Sequence, residues 1–151
     1  MEMSLSLSLW VLLVHSGAAC AMTGLIWFVQ VVHYPLMADV DAQAFAAYHR
    51  EHSRLTTLVV GPLMLVEAGA ALWIAFDRLA APFASWLGLA LLAVVWGATM
   101  FLSVPRHNDL AVGFDATAHA SLVATNWIRT AGWSARAALS LWMLAGVVRT
   151  S

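Results

Sequence analysis

Four apolar stretches decide what this chain can fold into. Residues 9–32, 55–76, 83–103 and 121–148 are each close to the length, about 20 residues, that a helix needs to cross a bilayer core. Hydrocarbon offers no partner to an open sheet edge, so the stretches are expected to be helices. Their punctuation agrees. His33-Tyr34-Pro35 stops the first, Asp77-Arg78 the second, and Arg149 the fourth, while Pro82 and Pro105 bracket the third. Charged residues make up 10% of the chain, against about 25% in soluble domains. So few charges cannot coat a water-soluble surface, which excludes a soluble enzyme and a disordered tail. The net charge is -1 and lysine is absent, so no basic patch exists for nucleic acid. A single cysteine, Cys20, excludes an internal disulfide framework and a Cys-pair metal knuckle.

The fold expected is an all-α integral membrane protein, one domain over residues 1–151. Its four helices run up-down-up-down, with both termini on one side. The apolar start has no cationic region and continues to Val32, so it reads as a retained helix rather than a signal peptide. Trp10, Trp73, Trp86 and Trp142 then fall near one bilayer face, one per helix, as an aromatic belt does. Between the first two spans, Phe45, Tyr48, His49 and His52 recur at helical spacing. Residues 41–54 therefore read as an amphipathic surface helix before the second span, either separate from it or continuous with it. Pro62 is expected to kink that span. No internal repeat or low-complexity stretch stands out. The arginine balance slightly favours the histidine-rich loops in the cytoplasm. The partner implied throughout is the lipid bilayer, and the location a bacterial inner membrane. A homo-oligomer or a membrane partner is left open.

Polar residues inside the spans are patterned. His119, Asn126, Arg129, Trp133, Arg136 and Ser140 recur every three, four or seven residues, one face of the last helix. Ser16, Cys20, Thr23, Trp27 and Gln30 make a similar stripe on the first, and Trp96, Thr99, Ser103 and Arg106 on the third. Such stripes are expected to face the bundle interior. Helical rise of 1.5 Å per residue puts Glu67 roughly 15 Å from Asp77 and Arg136 roughly 20 Å from Arg149. Both lie near mid-bilayer, so an intramembrane Glu67–Arg136 ion pair is expected, ahead of a proton relay or a substrate carboxylate at Arg136.

Five of the six histidines gather toward one face: His33, His49, His52, His107 and His119. Imidazole suits zinc, copper and iron. The ligand set expected is His33, His49, His52 and His107, with Glu51 or Asp109 orienting a ring. For any one histidine, a loop or headgroup hydrogen bond is the plainer reading. Without His-Glu-x-x-His a zincin is excluded. Haem is a weaker option, because His15 is the only histidine well inside a span. Arg129 with Asn126 would hold an anionic or carbonyl oxygen. Trp27, Trp96, Trp127 and Trp133 would line an apolar approach, although core packing suits each of them too.

Several of these residues make up a familiar set: residues 30–36 (QVVHYPL), 48–52 (YHREH), Pro62 and Glu67, residues 104–108 (VPRHN) and residues 126–130 (NWIRT). The set resembles small bacterial four-helix membrane proteins and, more distantly, the anthrone oxygenase-like membrane family. The link rests mainly on Pro105–Asn108, Asn126 and Arg129. The paired His49 and His52 depart from that family and from its cofactor-free chemistry. The resemblance implies oxidation of a hydrophobic, quinone-like molecule. The function expected is thus a metal-dependent membrane oxidoreductase or oxygenase-like enzyme. The alternatives are a non-catalytic membrane subunit or scaffold, and a small transporter or proton pathway using Glu67, Arg136 and His15.

Overall fold

The computed structural model describes residues 2–77 and 80–150; Arg78, read above as part of the second stop, lies outside them. The described residues are almost entirely helical and contain no strand. Four long helical stretches are apolar enough to cross a membrane: Leu7–Met37, Ala42–Asp77, Pro82–Leu110 and Ala116–Arg149. All four belt tryptophans, Trp10, Trp73, Trp86 and Trp142, are exposed on the protein surface.

The first span is α1 (Glu2–Phe28), a π-helical segment Val29–His33, and α2 (Tyr34–Met37). The second is α3 (Ala42–Asp77). The third is α4 (Pro82–Ala98), a π segment Thr99–Ser103, and α5 (Val104–Leu110). The fourth is α6 (Ala116–Thr150). The amphipathic stretch is not a separate helix. It is the first part of α3, which runs unbroken through Pro62. The reason is local: nothing between residues 42 and 61 lacks a backbone donor or demands a turn.

The structure corrects the reading that no repeat is present. Each half of the chain runs span, π segment, short proline-bearing helix, turn, long helix. Pro35 and Pro105 each stand two residues past a π segment. A proline cannot donate to the carbonyl four residues back, and its ring crowds that carbonyl. The widened π turn relieves this, with Tyr34 N–H reaching Val29 O and Val104 N–H reaching Thr99 O. Asp39-Val40 and Asp109-Leu110 follow at the same distance from each proline. Then Asp41-Ala42-Gln43-Ala44 matches Asp115-Ala116-Thr117-Ala118. Both leading aspartates cap their helix, Asp41 Oδ1 accepting from Gln43 N at 2.8 Å and Asp115 Oδ1 from Ala118 N at 2.6 Å. The two loops share one apolar cluster, Tyr34, Met37, Phe45, Leu110, Ala118 and Leu122, with Val40 against it.

Helix α1 packs closely on α6 and on α3, and α4 on α6. The approach of α3 to α4 and α5 is much looser. That looseness positions the site.

Candidate functional site

A cavity of about 490 Å³ opens where α3 stands away from the third span. Its inner wall is apolar, from Met22, Ile26, Val60 and Met64. Its polar end carries Tyr34, His49, His52, Ser103, His107 and Arg129. The volume is that of a pocket for a small organic molecule.

The histidines predicted from sequence do come together. His49 is buried on α3, and its Nε2 lies 3.0 Å from His107 Nδ1 on α5. The other nitrogen of His107 meets the Tyr34 hydroxyl at 3.1 Å. His52 lies within 6.1–6.3 Å of the His107 and His49 ring centres. His33 stacks on His52, centroids 4.0 Å apart and planes at 22°. Stacked rings aim their in-plane lone pairs side by side rather than at one point. Among the described residues, no three His, Cys, Asp or Glu side chains form a metal-holding group. His49–His107 is the pair whose nitrogens face each other. His119 stands apart, bonding Tyr34 O at 2.8 Å.

The carboxylates expected to orient a ring do not reach one. Glu51 pairs with Arg54 at 2.7 Å and Asp109 with Arg106 at 2.9 Å, both on the exposed surface. Each finds a cation one turn away on its own helix. Their places are taken by neutral hydroxyls, Tyr34 at His107 and Thr56 at His52 Nδ1, 3.2 Å. Tyr34, which sequence reasoning missed, sits between His33 and the proline, where the π segment turns it inward.

Arg129 reaches the cavity from α6. Its NH1 donates to Ser103 Oγ at 3.2 Å and to Asn126 Oδ1 at 3.1 Å. Asn126 Nδ2 donates to Gln30 Oε1 at 2.9 Å, and Gln30 Nε2 to Val123 O at 3.3 Å. Arg129 is thus buried among neutral acceptors, and its Nε–H has no partner. None of the ion pairs among the described residues includes it.

Deeper in the bundle, Arg136 Nε donates to Glu67 Oε1 at 2.6 Å, and its NH1 donates to the Gly88 carbonyl. Both side chains are fully buried. His15 and Ser16 are buried in the same part of α1, so His15 belongs with the mid-bundle polar groups. Between this pair and the cavity lies an apolar cluster that includes Met22, Ile26, Met64, Leu92, Val95 and Trp133.

No family model matches the chain, and no curated protein or solved structure matches it.

The tryptophans expected along an apolar approach are elsewhere. Trp27 and Trp127 pair edge to face on the outer surface, centroids 5.7 Å apart. Trp133 is core, and Trp96 packs beside it. Aliphatic and methionine side chains line the cavity instead. The stripe on α6 is buried at Asn126, Arg129, Trp133, Arg136 and Ser140. In the α1 stripe, Cys20 and Trp27 face outward. In the third, Arg106 does, satisfied by Asp109.

Proposed function

We propose that the chain is an integral membrane oxidoreductase, oxygenase-like in the broad sense, acting on a lipid-soluble, quinone-like molecule. It would sit in a bacterial inner membrane as an up-down-up-down bundle, the first turns of α3 lying along the surface. The observation that carries the reading is the cavity itself. One apolar chamber ends in His49, His107, Tyr34 and a buried arginine. An apolar wall suits a hydrophobic ring system, and the Arg129 Nε–H suits an oxygen on it.

The site would hold a metal ion, iron, copper or zinc, with His49 and His107 as first ligands; of these, iron and copper could carry the oxidation. Two nitrogens bound to one zinc ion at about 2.0–2.1 Å are separated by roughly 3 Å or a little more. The 3.0 Å separation of His49 Nε2 and His107 Nδ1 fits that spacing. His52 and His33 would complete the set only by swinging apart from their stack. When bound, a redox-active metal supplies one-electron chemistry. The chain's own residues bind and orient the substrate, exclude water along the apolar wall, and hold the His107 ring through its Nε2–H, which donates to the Tyr34 hydroxyl oxygen.

Metal content and the absorption spectrum of detergent-purified protein test this. Near-stoichiometric metal is expected, falling several-fold in His49→Ala and His107→Ala and unchanged in His15→Ala. Protein that takes up none of iron, copper or zinc when offered each would overturn the metal centre and favour a non-catalytic subunit. The apolar plug between the two polar clusters counts against a transporter or proton pathway.

A further inference from the structure

Two arginines are buried in the same helix, two turns apart, and they are treated differently. Arg136 has the Glu67 carboxylate at 2.6 Å. Arg129 has Ser103, Asn126 and the Tyr34 hydroxyl, none of which carries a charge. A cation held away from water costs several kcal/mol unless a negative group offsets it. The rest of the Arg129 surroundings does not supply one. Its Nε–H is buried without a partner, on a side chain only 8% exposed that lines the cavity. The other unpartnered buried groups in that wall, His49 Nδ1 and Ser53 Oγ, carry no negative charge.

The cavity also opens sideways. Thr57 on α3 and Val104 on α5 both line it and are both exposed. Thr57 lies two turns along α3 from Arg50, roughly 10 Å deeper by helical rise. Gly61, which also lines the cavity, lies a further turn in. The opening therefore extends from the loop end down into the apolar length of the helices.

We propose that the cavity takes an anionic amphiphile: a lipid-soluble molecule with an ionised oxygen, phenolate, enolate or carboxylate, that ion-pairs with Arg129. It enters from the lipid through the gap between α3 and α5. This rests on the substrate reading above and adds the charge of the ligand and its route. The ligand completes at Arg129 what Glu67 completes at Arg136.

The test compares two probes of one ring system in lipid nanodiscs: 2-hydroxy-1,4-naphthoquinone, ionised at neutral pH, and uncharged 1,4-naphthoquinone. Quenching of tryptophan fluorescence reads binding. The ionised probe is expected to bind about ten- to a hundredfold more tightly, as a charge-assisted hydrogen bond gives. Arg129→Gln should erase that difference, weakening the ionised probe far more than the neutral one. Gly61→Phe should slow association of both probes about tenfold or more, whereas Gly69→Phe, equally free of clash on the far part of α3, should not. Equal binding of the two probes in the wild type would overturn the ionised-ligand inference and leave the quinone-like reading standing. Unchanged association in both Gly61→Phe and Thr57→Trp would overturn the lateral route. Failure of both probes to bind at all would overturn the substrate reading itself.

Discussion

The two halves of this chain share one plan, and the two seams that join them are closed differently. Each half brings a proline-ended span and an Asp-capped long helix to the same end of the molecule. Where α1 meets α6, the seam is sealed. Gln30 and Asn126 bond across it, Thr23 reaches the Trp133 carbonyl at 2.9 Å, and Trp27 reaches Ser134 at 3.0 Å. Where α3 meets the third span, the equivalent seam is open. Small residues and histidines stand there in place of the glue, and a cavity replaces the packing. At corresponding places past the two prolines, one unit carries Met37, buried in the loop core, and the other His107, in the cavity wall. The contrast separates the seam that holds the fold from the seam free to bind something.

The largest expected effect lies where both halves meet. Glu67 belongs to α3 and Arg136 to α6, so the pair clamps the long helices of the two units together. Removing one charge leaves the other buried and uncompensated, at a cost of about 3–5 kcal/mol. Glu67→Gln and Arg136→Met should each unfold much earlier in a denaturant titration in detergent. The double variant should recover part of the loss. If it is less stable than both single variants, the clamp is not what joins the halves.

A smaller effect compares two glycines. A Cβ on Gly132 would run into the Val95 side chain, because α6 and α4 meet there without a gap. Gly132→Ala should destabilise by about 1–3 kcal/mol through overpacking. Gly61, facing the open seam, has room, and Gly61→Ala should be neutral or stabilising by about 0.5–1 kcal/mol through reduced backbone freedom in the unfolded chain. Equal destabilisation at both positions would mean the open seam is closed in the bilayer.

The spans were legible because hydrocarbon leaves so few choices: length, lack of charge and four outward tryptophans are strong constraints. The buried stripe of α6 was legible for the same reason, since lipid cannot satisfy Asn126 or Arg129. Cys20 and Trp27 show where that logic weakens. A thiol is barely polar, and the Trp27 indole N–H finds Ser134 while its ring lies outside. Convergence of the histidines followed from where the spans end. Their ring directions did not, because His33 stacking on His52 depends on rotamers that spacing does not encode. The cavity was not legible, since it arises from a difference in packing between two seams. The repeat was hidden because its unequal second loop spoils a fixed period, and what recurs is a proline, a π turn and a cap rather than a run of identical residues.

The smallest effect is the sharpest test of the two seams. Gln30–Asn126 and His49–His107 are both polar pairs between helices, at 2.9 and 3.0 Å. In the sealed seam, a lone Asn126 has nothing to replace Gln30. Polar pairs inside membrane proteins couple by about 0.6 kcal/mol on average, with stronger ones near 1.7. A double-mutant cycle with Gln30→Leu and Asn126→Leu should give a coupling in that range. In the open seam, a lone imidazole can turn to water in the cavity. The same cycle with His49→Leu and His107→Leu, run on chelator-treated protein, should give a coupling below about 0.3 kcal/mol, within the additivity of independent sites. Metal restored to the wild type should then raise its stability, as any ligand bound only by the folded state does. A histidine coupling as large as the amide coupling would make the imidazole pair structural glue, and the contrast between the two seams would fall with it.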